Sequence, residues 1–304
     1  MNGFFNVLKP PGMTSSQVVG FVRRLLDGEK AGHAGTLDPQ AAGILLVMAG
    51  KAARLFDYLV DKRKTYVAEI AFGAATDTQD AQGRVIAQGQ NYPSMADVQA
   101  VLPRFAGDIL QTPPSFSAIK QGGQRLYDLA RKGEMVVADA RPIFVEDIIL
   151  GRETENHGMM LTIRCGKGTY VRTLCHDIGQ ALGCPAHMRF LLRTQSGVFT
   201  IDTASTLEEL SQAKDQGRLA DCILPMDMPL AHLSRADVPR EMGNICKNGG
   251  AMRLSAFPNL VQVEENVPLR VYLHGAFMGI AHRQGASIVF RAMVGGGIND
   301  MEYA

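Results

Sequence analysis

The thirteen residues from Ala31 to Gly43 constrain this chain more than any other stretch. They read Ala-Gly-His-Ala-Gly-Thr-Leu-Asp-Pro-Gln-Ala-Ala-Gly, and an apolar run, Ile44–Ala49, follows at once. Glycines at this density let the backbone enter positive φ and approach a ligand closely. Asp38 precedes Pro39, which biases the aspartate toward an extended conformation and removes one amide donor from the loop. Two readings are open: a tight turn whose aspartate satisfies local amides, or a loop that presents a carboxylate beside a buried strand. The rest of the chain has to decide between them.

A chain of 304 residues exceeds what one core usually holds, so two domains are expected. Hydrophobic residues make up 46%, enough for burial. No segment approaches the roughly 20 apolar residues that span a bilayer, and Met1-Asn2-Gly3-Phe4 has neither the basic nor the apolar region of a signal peptide. Cys165, Cys175, Cys184, Cys222 and Cys246 are odd in number and show no CxxC spacing, which points to reduced thiols in a cytoplasmic protein and away from zinc. The net charge of +1 predicts no polyanion partner by itself. A nucleic-acid binder needs a basic patch rather than a basic average. Lys62-Arg63-Lys64, and Lys120, Arg125, Arg131 and Lys132 among glycines, allow one.

Hydrophobic periodicity and turn residues give the element order. Phe4–Leu8 reads as a strand ended by Lys9-Pro10-Pro11-Gly12. Thr14-Ser15-Ser16-Gln17 has the form of a capping box, opening a helix with Val18, Val22 and Leu25 on one face. Helices are expected where Ala52, Leu55, Phe56, Leu59 and Val60 recur, at Ser94–Phe105, at Thr173–Leu182 before Gly183, and at Leu207–Lys214. Strands are expected at Tyr66–Phe72, Arg84–Ala87, Arg141–Leu150 and Met159–Cys165. Residues 111–137 mix prolines, basic residues and glycines, as a long functional loop does, with one short helix near Leu126–Arg131. Past a linker-like stretch at Leu224–Leu230, short strands at Val261–Val263, Leu269–Leu273, Gly279–His282 and Ser287–Val294 suggest a small β-rich domain. Asp77 and Asp80 lack the spacing of a metal loop and read as turn aspartates.

Four separated segments occur in a particular order: Lys9-Pro10-Pro11-Gly12-Met13-Thr14-Ser15, Gly32-His33-Ala34-Gly35-Thr36-Leu37-Asp38-Pro39, Lys64-Thr65-Tyr66, and Lys167-Gly168-Thr169-Tyr170-Val171-Arg172-Thr173-Leu174. Together they resemble the TruB family of tRNA pseudouridine synthases. Pro113-Pro114-Ser115-Phe116-Ser117-Ala118-Ile119-Lys120, with Arg125-Leu126-Tyr127, is similar to that family's RNA-gripping thumb loop. The resemblance covers about residues 3–200.

The resemblance implies an α/β (α+β) catalytic domain at residues 1–235, with a mixed, largely antiparallel sheet flanked by helices and a cleft roofed by the thumb at 111–137. A PUA-like domain at 236–304 is implied by position, since seven Arg/Lys against six Asp/Glu after Leu233 give it no basic character. The implied reaction isomerises one uridine of the tRNA T-loop, conventionally position 55, to pseudouridine, without cofactor, metal or obligate protein partner. Asp38 matches the catalytic aspartate, as nucleophile on sugar or base or as the base that removes a sugar proton. Arg172 matches its partner, which would favour the charged carboxylate and can engage both oxygens. Tyr66 and Tyr170 match uracil-contacting tyrosines, and Leu191 a hydrophobic wall for a flipped base. His33 matches a residue that enters the T-loop, and Lys64 one that meets phosphate or supports the pocket. Tyr170 and Arg172, two apart on an extended run, would face the same side. Two departures stand out: Phe116 replaces a common tyrosine and Leu192 a frequent arginine. A non-catalytic RNA binder on the same scaffold is the competing reading, and it would have no use for Asp38 with Arg172 in place to pair.

Overall fold

The computed structural model describes residues 1–59, 63–116, 120–121, 124–125, 138–260 and 262–295. Strand β1 (Gly3–Lys9) leads into helix α1 (Ser15–Leu25). The capping box forms as its sequence requires: Gln17 N–H donates to Thr14 Oγ1 at 3.1 Å, and Thr14 N–H to Gln17 Oε1 at 2.7 Å. Strands β2 (Ala31–His33) and β3 (Ala42–Ala49) flank the glycine-rich loop, and β3 is buried along nearly all its length. The helix expected after it is a 3₁₀ helix, Gly50–Tyr58, which has no side-chain cap at Ala49. Strands β4 (Lys64–Phe72), β5 (Ala74–Thr76) and β6 (Val85–Gln88) follow. Lys64 is the first residue of β4.

Helix α2 (Met95–Val101) is capped by Ser94 and stops early, because Pro103 turns the next residues into a 3₁₀ helix, Leu102–Phe105. Strand β7 (Gly107–Gln111) precedes a two-residue pair, β8 (Lys120–Gln121) with β9 (Gln124–Arg125). The short helix expected near Leu126–Arg131 lies outside the described residues. Strands β10 (Arg141–Thr154) and β11 (Gly158–Cys165) form a long hairpin, followed by helix α3 (Val171–Ala181), strands β12 (Ala186–Ser196) and β13 (Phe199–Thr200), and helix α4 (Leu207–Asp215).

The large sheet runs β1-β3-β12-β4-β11-β10-β7, with β2 on β3 and β13 on β12. Its described pairings are antiparallel except for β3 beside β12. One core packs Ile70, Leu161 and Ile163 of the sheet against Val98 of α2 and Leu174 and Ile178 of α3. A second packs Phe5, Val7, Leu45 and Val47 against Val18 and Val22 of α1 and Leu210 of α4. Side chains alternate between faces along each strand; β1 and β3 are buried on both, with Phe4, Ile44 and Leu46 in a further core, while β10 and β12 bury one face and leave Phe144, Ile149 and Phe190 exposed on the strands.

The last quarter of the chain builds a separate five-stranded sheet, ordered β14 (Ser234–Asp237), β16 (Pro268–Leu273), β17 (Ala276–Gln284), β18 (Ser287–Met293) and β15 (Met252–Arg253). Val271, Leu269, Ile288, Met252 and Phe257 form its own core. Ile280, Ala292 and Val294 instead join Phe4, Ile44, Leu55 and Phe199, which fastens this sheet to the large one. Gln262 and Val263 belong to no strand, contrary to the expectation for 261–263.

Candidate active site

The loop carrying Asp38 is held from two sides by side chains that expose nothing of themselves. Lys9, fully buried at the end of β1, donates to the carbonyls of Pro10, Pro39 and Ala41 at 2.8, 2.9 and 2.7 Å. Burial pushes its ammonium down to about 8; nearby Asp38 opposes the fall and Arg193 adds to it. Ser15, at the start of α1, donates to the Leu37 carbonyl at 3.0 Å and accepts the Leu37 N–H at 2.9 Å. Gly12 N–H reaches the Pro39 carbonyl at 2.8 Å. The segment Lys9–Ser15 is therefore the frame of the aspartate loop, which explains why the two segments occur together.

Arg193 of β12 holds the other side. Its guanidinium donates to the carbonyls of Ile44 at 2.7 Å, Gly35 at 3.2 Å and Thr36 at 3.4 Å, and the side chain is buried. The close approach depends on Gly43, at φ +110°, where an added Cβ would lie 2.2 Å from the Arg193 carbonyl oxygen. No L side chain fits there without moving backbone.

The frame delivers Asp38 to a buried arginine. Arg172 Nε lies 3.6 Å from Asp38 Oδ2 and its Nη1 lies 3.7 Å from Asp80 Oδ2. Its Nη2 donates to the Phe116 carbonyl at 2.7 Å and its Nη1 reaches the Thr78 carbonyl at 3.4 Å. The arginine side chain is 7% exposed and that of Asp38 40%, so the cation is interior and the carboxylate faces the opening. A fixed buried cation beside an accessible carboxylate is the arrangement an anionic catalytic group requires.

Around Asp38 and Arg172 a cleft of about 430 Å³ is lined by Leu37, Tyr66, Tyr170, Leu191 and Met188, with Lys64 and Lys167 also on its wall. The register explains the wall: Tyr66 is opposite Arg193 and Ala68 opposite Leu191 across β4 and β12, so these side chains share one face. Burial pushes the Tyr66 hydroxyl above its ordinary value, while Arg193, which it contacts, works the other way. The phenol is therefore neutral at physiological pH.

The structure thus brings Asp38, Arg172, Tyr66, Tyr170, Leu191 and Lys64 together. His33 sits at the end of β2 and is not among the described residues that line the cleft. Its Nδ1 accepts the Gly35 N–H at 3.4 Å, and burial, with Arg193 adding, holds the imidazole below its ordinary value. One geometric expectation fails. Tyr170 and Arg172 do not lie on one extended run, because Arg172 is already in the first turn of α3 and only Tyr170 is extended, at φ −98° and ψ 105°. They still converge, with the guanidinium carbon 5.9 Å from the centre of the Tyr170 ring.

Asp80, Lys9 and Arg193 carry structural work at the site that sequence reasoning did not assign. Asp80 is a turn aspartate, as read: its Oδ1 accepts from Thr78 Oγ1 at 2.7 Å and from Gln82 N–H at 3.0 Å. Its other oxygen faces Arg172, a pairing that nothing local in the sequence signals. Lys9 was legible as part of a motif but not as the strut of the Asp38 loop. Arg193 adjoins Leu191 and Leu192, yet nothing marks it as buried.

Among solved structures, a chain of a Cbf5–Nop10–Gar1 complex superposes on this one with a TM-score of 0.73 at 26% identity, covering 97% of this chain and 85% of that one. The chain belongs to the TruB family of pseudouridylate synthases: the family's N-terminal domain model matches residues 23–171, and the tRNA pseudouridylate synthase B C-terminal domain model matches 172–231. Among curated relatives, tRNA pseudouridine synthase B of Alkaliphilus oremlandii is 40% identical over 279 residues, covering 92% of each chain. The protein of the same name from Symbiobacterium thermophilum is 46% identical over 241 residues, covering 78% of this chain and 79% of its own.

Proposed function

We propose that this protein isomerises one uridine in the T-loop of tRNA, at the position conventionally numbered 55, with Asp38 as the catalytic carboxylate. In the reaction the bond from C1′ to N1 breaks, a bond from C1′ to C5 forms, C5 gives up its hydrogen as a proton and N1 gains one. The exchange needs the uracil held out of its stack and a carboxylate placed to attack sugar or base or to remove a sugar proton. The observation that carries the reading is Asp38, open to the cleft and 3.6 Å from interior Arg172, above a wall of Tyr66 and Leu191.

In this reading Arg172 holds the carboxylate in place, Tyr170 and Tyr66 flank the flipped base and Leu191 closes the apolar side. Lys64 meets phosphate or supports the pocket, and His33, kept neutral by its surroundings, enters the T-loop by stacking or hydrogen bonding rather than by charge. The chain divides into a catalytic domain and a β-rich, PUA-like domain, expected at 1–235 and 236–304, with the division falling two residues earlier where β14 begins at Ser234, and works in the cytoplasm on tRNA without a cofactor, metal or obligate protein partner. The family relationship and the relatives named tRNA pseudouridine synthase B support the substrate class. The test of position is carbodiimide modification and primer extension on an unmodified tRNA transcript treated with the enzyme. A single new stop for position 55 is expected, and stops elsewhere or none overturn the assignment.

A further inference from the structure

Helix α3 carries Arg172 in its first turn but begins without a local cap: Tyr170 occupies the capping position and makes no side-chain cap hydrogen bond. The first amides of a helix have no partners within it. Here a residue from another strand takes over. Gln111, the last residue of β7 and 2% exposed, accepts the Tyr170 N–H on Oε1 at 2.8 Å and donates from Nε2 to the Tyr170 carbonyl at 3.1 Å. One buried amide thus grips both backbone groups of the residue from which the helix starts.

The same short segment touches the site a second time. Five residues after Gln111, the Phe116 carbonyl accepts from Arg172 Nη2 at 2.7 Å. Residues 111–116 therefore fix the cap residue at one end and the guanidinium at the other. Arg172 is sensitive to both. Its Nε is buried with no hydrogen-bond partner among the described residues, and the nearby Asp38 oxygen stands at 3.6 Å. A charge-assisted hydrogen bond closes at roughly 2.7–2.9 Å, so a small displacement of the first turn of α3 decides whether the pair engages.

We propose that Gln111 is a positioning residue for the reaction: by holding the backbone of Tyr170 it sets the first turn of α3 and, through it, the distance between Arg172 and Asp38. The proposal rests on the assignment of Asp38 and Arg172 to catalysis. Gln111 does not itself line the cleft, so its loss acts on the chemical step and leaves tRNA binding in place.

The test uses the full chain, an unmodified tRNA transcript carrying tritium at C5 of uridine, and single-turnover conditions. Gln111→Met keeps the length of the side chain and offers no donor and only a weak acceptor. Its rate constant is expected to fall about ten- to a hundred-fold, the loss of two buried hydrogen bonds, with tRNA affinity within about threefold and full reaction amplitude. Gln111→Asn, a neutral amide one methylene too short to reach both Tyr170 groups, serves if the methionine variant does not fold, and the same pattern is expected from it at smaller size. A double-mutant cycle with Arg172→Lys separates positioning from general destabilisation. If Gln111 acts through Arg172, its replacement costs under about threefold once Arg172 is lysine. Unchanged single-turnover rates, or losses that simply multiply in the double variant, overturn the proposal. A wild type that binds tRNA and releases no tritium refutes the assignment of Asp38 and Arg172 instead, and the proposal with it.

Discussion

Asp80→Asn is the most discriminating substitution the site offers, because the turn around Asp80 dictates how the new amide must sit. Oδ1 accepts from the Gln82 backbone N–H at 3.0 Å, a donor that cannot reverse. The asparagine must therefore keep its oxygen there and aim its NH2 at Arg172 Nη1, where Oδ2 now stands at 3.7 Å. The substitution removes an attraction and sets donor against donor, with volume and turn unchanged. Unit charges at about this distance attract by about 4 kcal/mol at an effective dielectric of about 20. Asp80 keeps 20% of its side chain exposed and the amide dipole remains, so about 2–3 kcal/mol is the expected loss in the transition state. That corresponds to roughly 30- to 150-fold in the single-turnover rate of tritium release. Affinity for tRNA, measured by filter binding, should change little, because Asp80 acts on Arg172 and not on the RNA. A rate within threefold of wild type would refute the idea that two carboxylates share Arg172.

Three further expectations follow from the same geometry. Arg172→Lys should leave turnover at least about tenfold below wild type, because a point charge cannot serve Asp38, Asp80 and the Phe116 carbonyl together; kinetics indistinguishable from wild type would contradict the pairing. Lys9 has a folded-state value near 8, below its unfolded value, so between those two the unfolded chain binds more protons and stability rises with pH. Urea unfolding of wild type relative to Lys9→Met should accordingly show wild type gaining from about pH 8 upward, and a flat or falling difference would show the lysine is not buried as a cation. Gly43→Ala places a methyl 2.2 Å from the Arg193 carbonyl oxygen, so a loss of several kcal/mol in unfolding free energy, or failure to fold, is expected; wild-type stability would mean β3 and β12 do not approach as described.

Much of this site is legible in the sequence because its parts are local. The glycines and Asp38-Pro39 mark a loop with an exposed carboxylate, the capping box at Thr14 places α1, and alternation places β4 with Tyr66 in it. What escapes local reading is made by partners distant in the chain. Strand β12 lies beside β4 in the middle of the sheet, yet Ala186–Ser196 shows no clean alternation because bulges interrupt it near Phe190 and Gln195 and because a buried arginine stands in its run. Helix α3 starts two residues before Thr173, the expected first residue, and the backbone of its capping residue Tyr170 is held by Gln111 of β7, a partner far away in the chain. The helix expected after Ala49 has the right spacing and no cap, and it tightens into a 3₁₀ helix. Asp80 was readable as a turn residue because its bonds to Thr78 and Gln82 are local, while its bond to Arg172 exists only once the sheet has formed.

The central claim, that Asp38 carries out uridine isomerisation in this cleft, is tested most directly by tritium release from C5-labelled uridine in an unmodified tRNA transcript, comparing wild type with Asp38→Asn. C5 must lose its hydrogen when the glycosidic bond moves to it, so release reports the reaction itself. The account predicts release by wild type and none by Asp38→Asn, with both binding the transcript. Near wild-type release by Asp38→Asn, or binding without release by either protein, would contradict it.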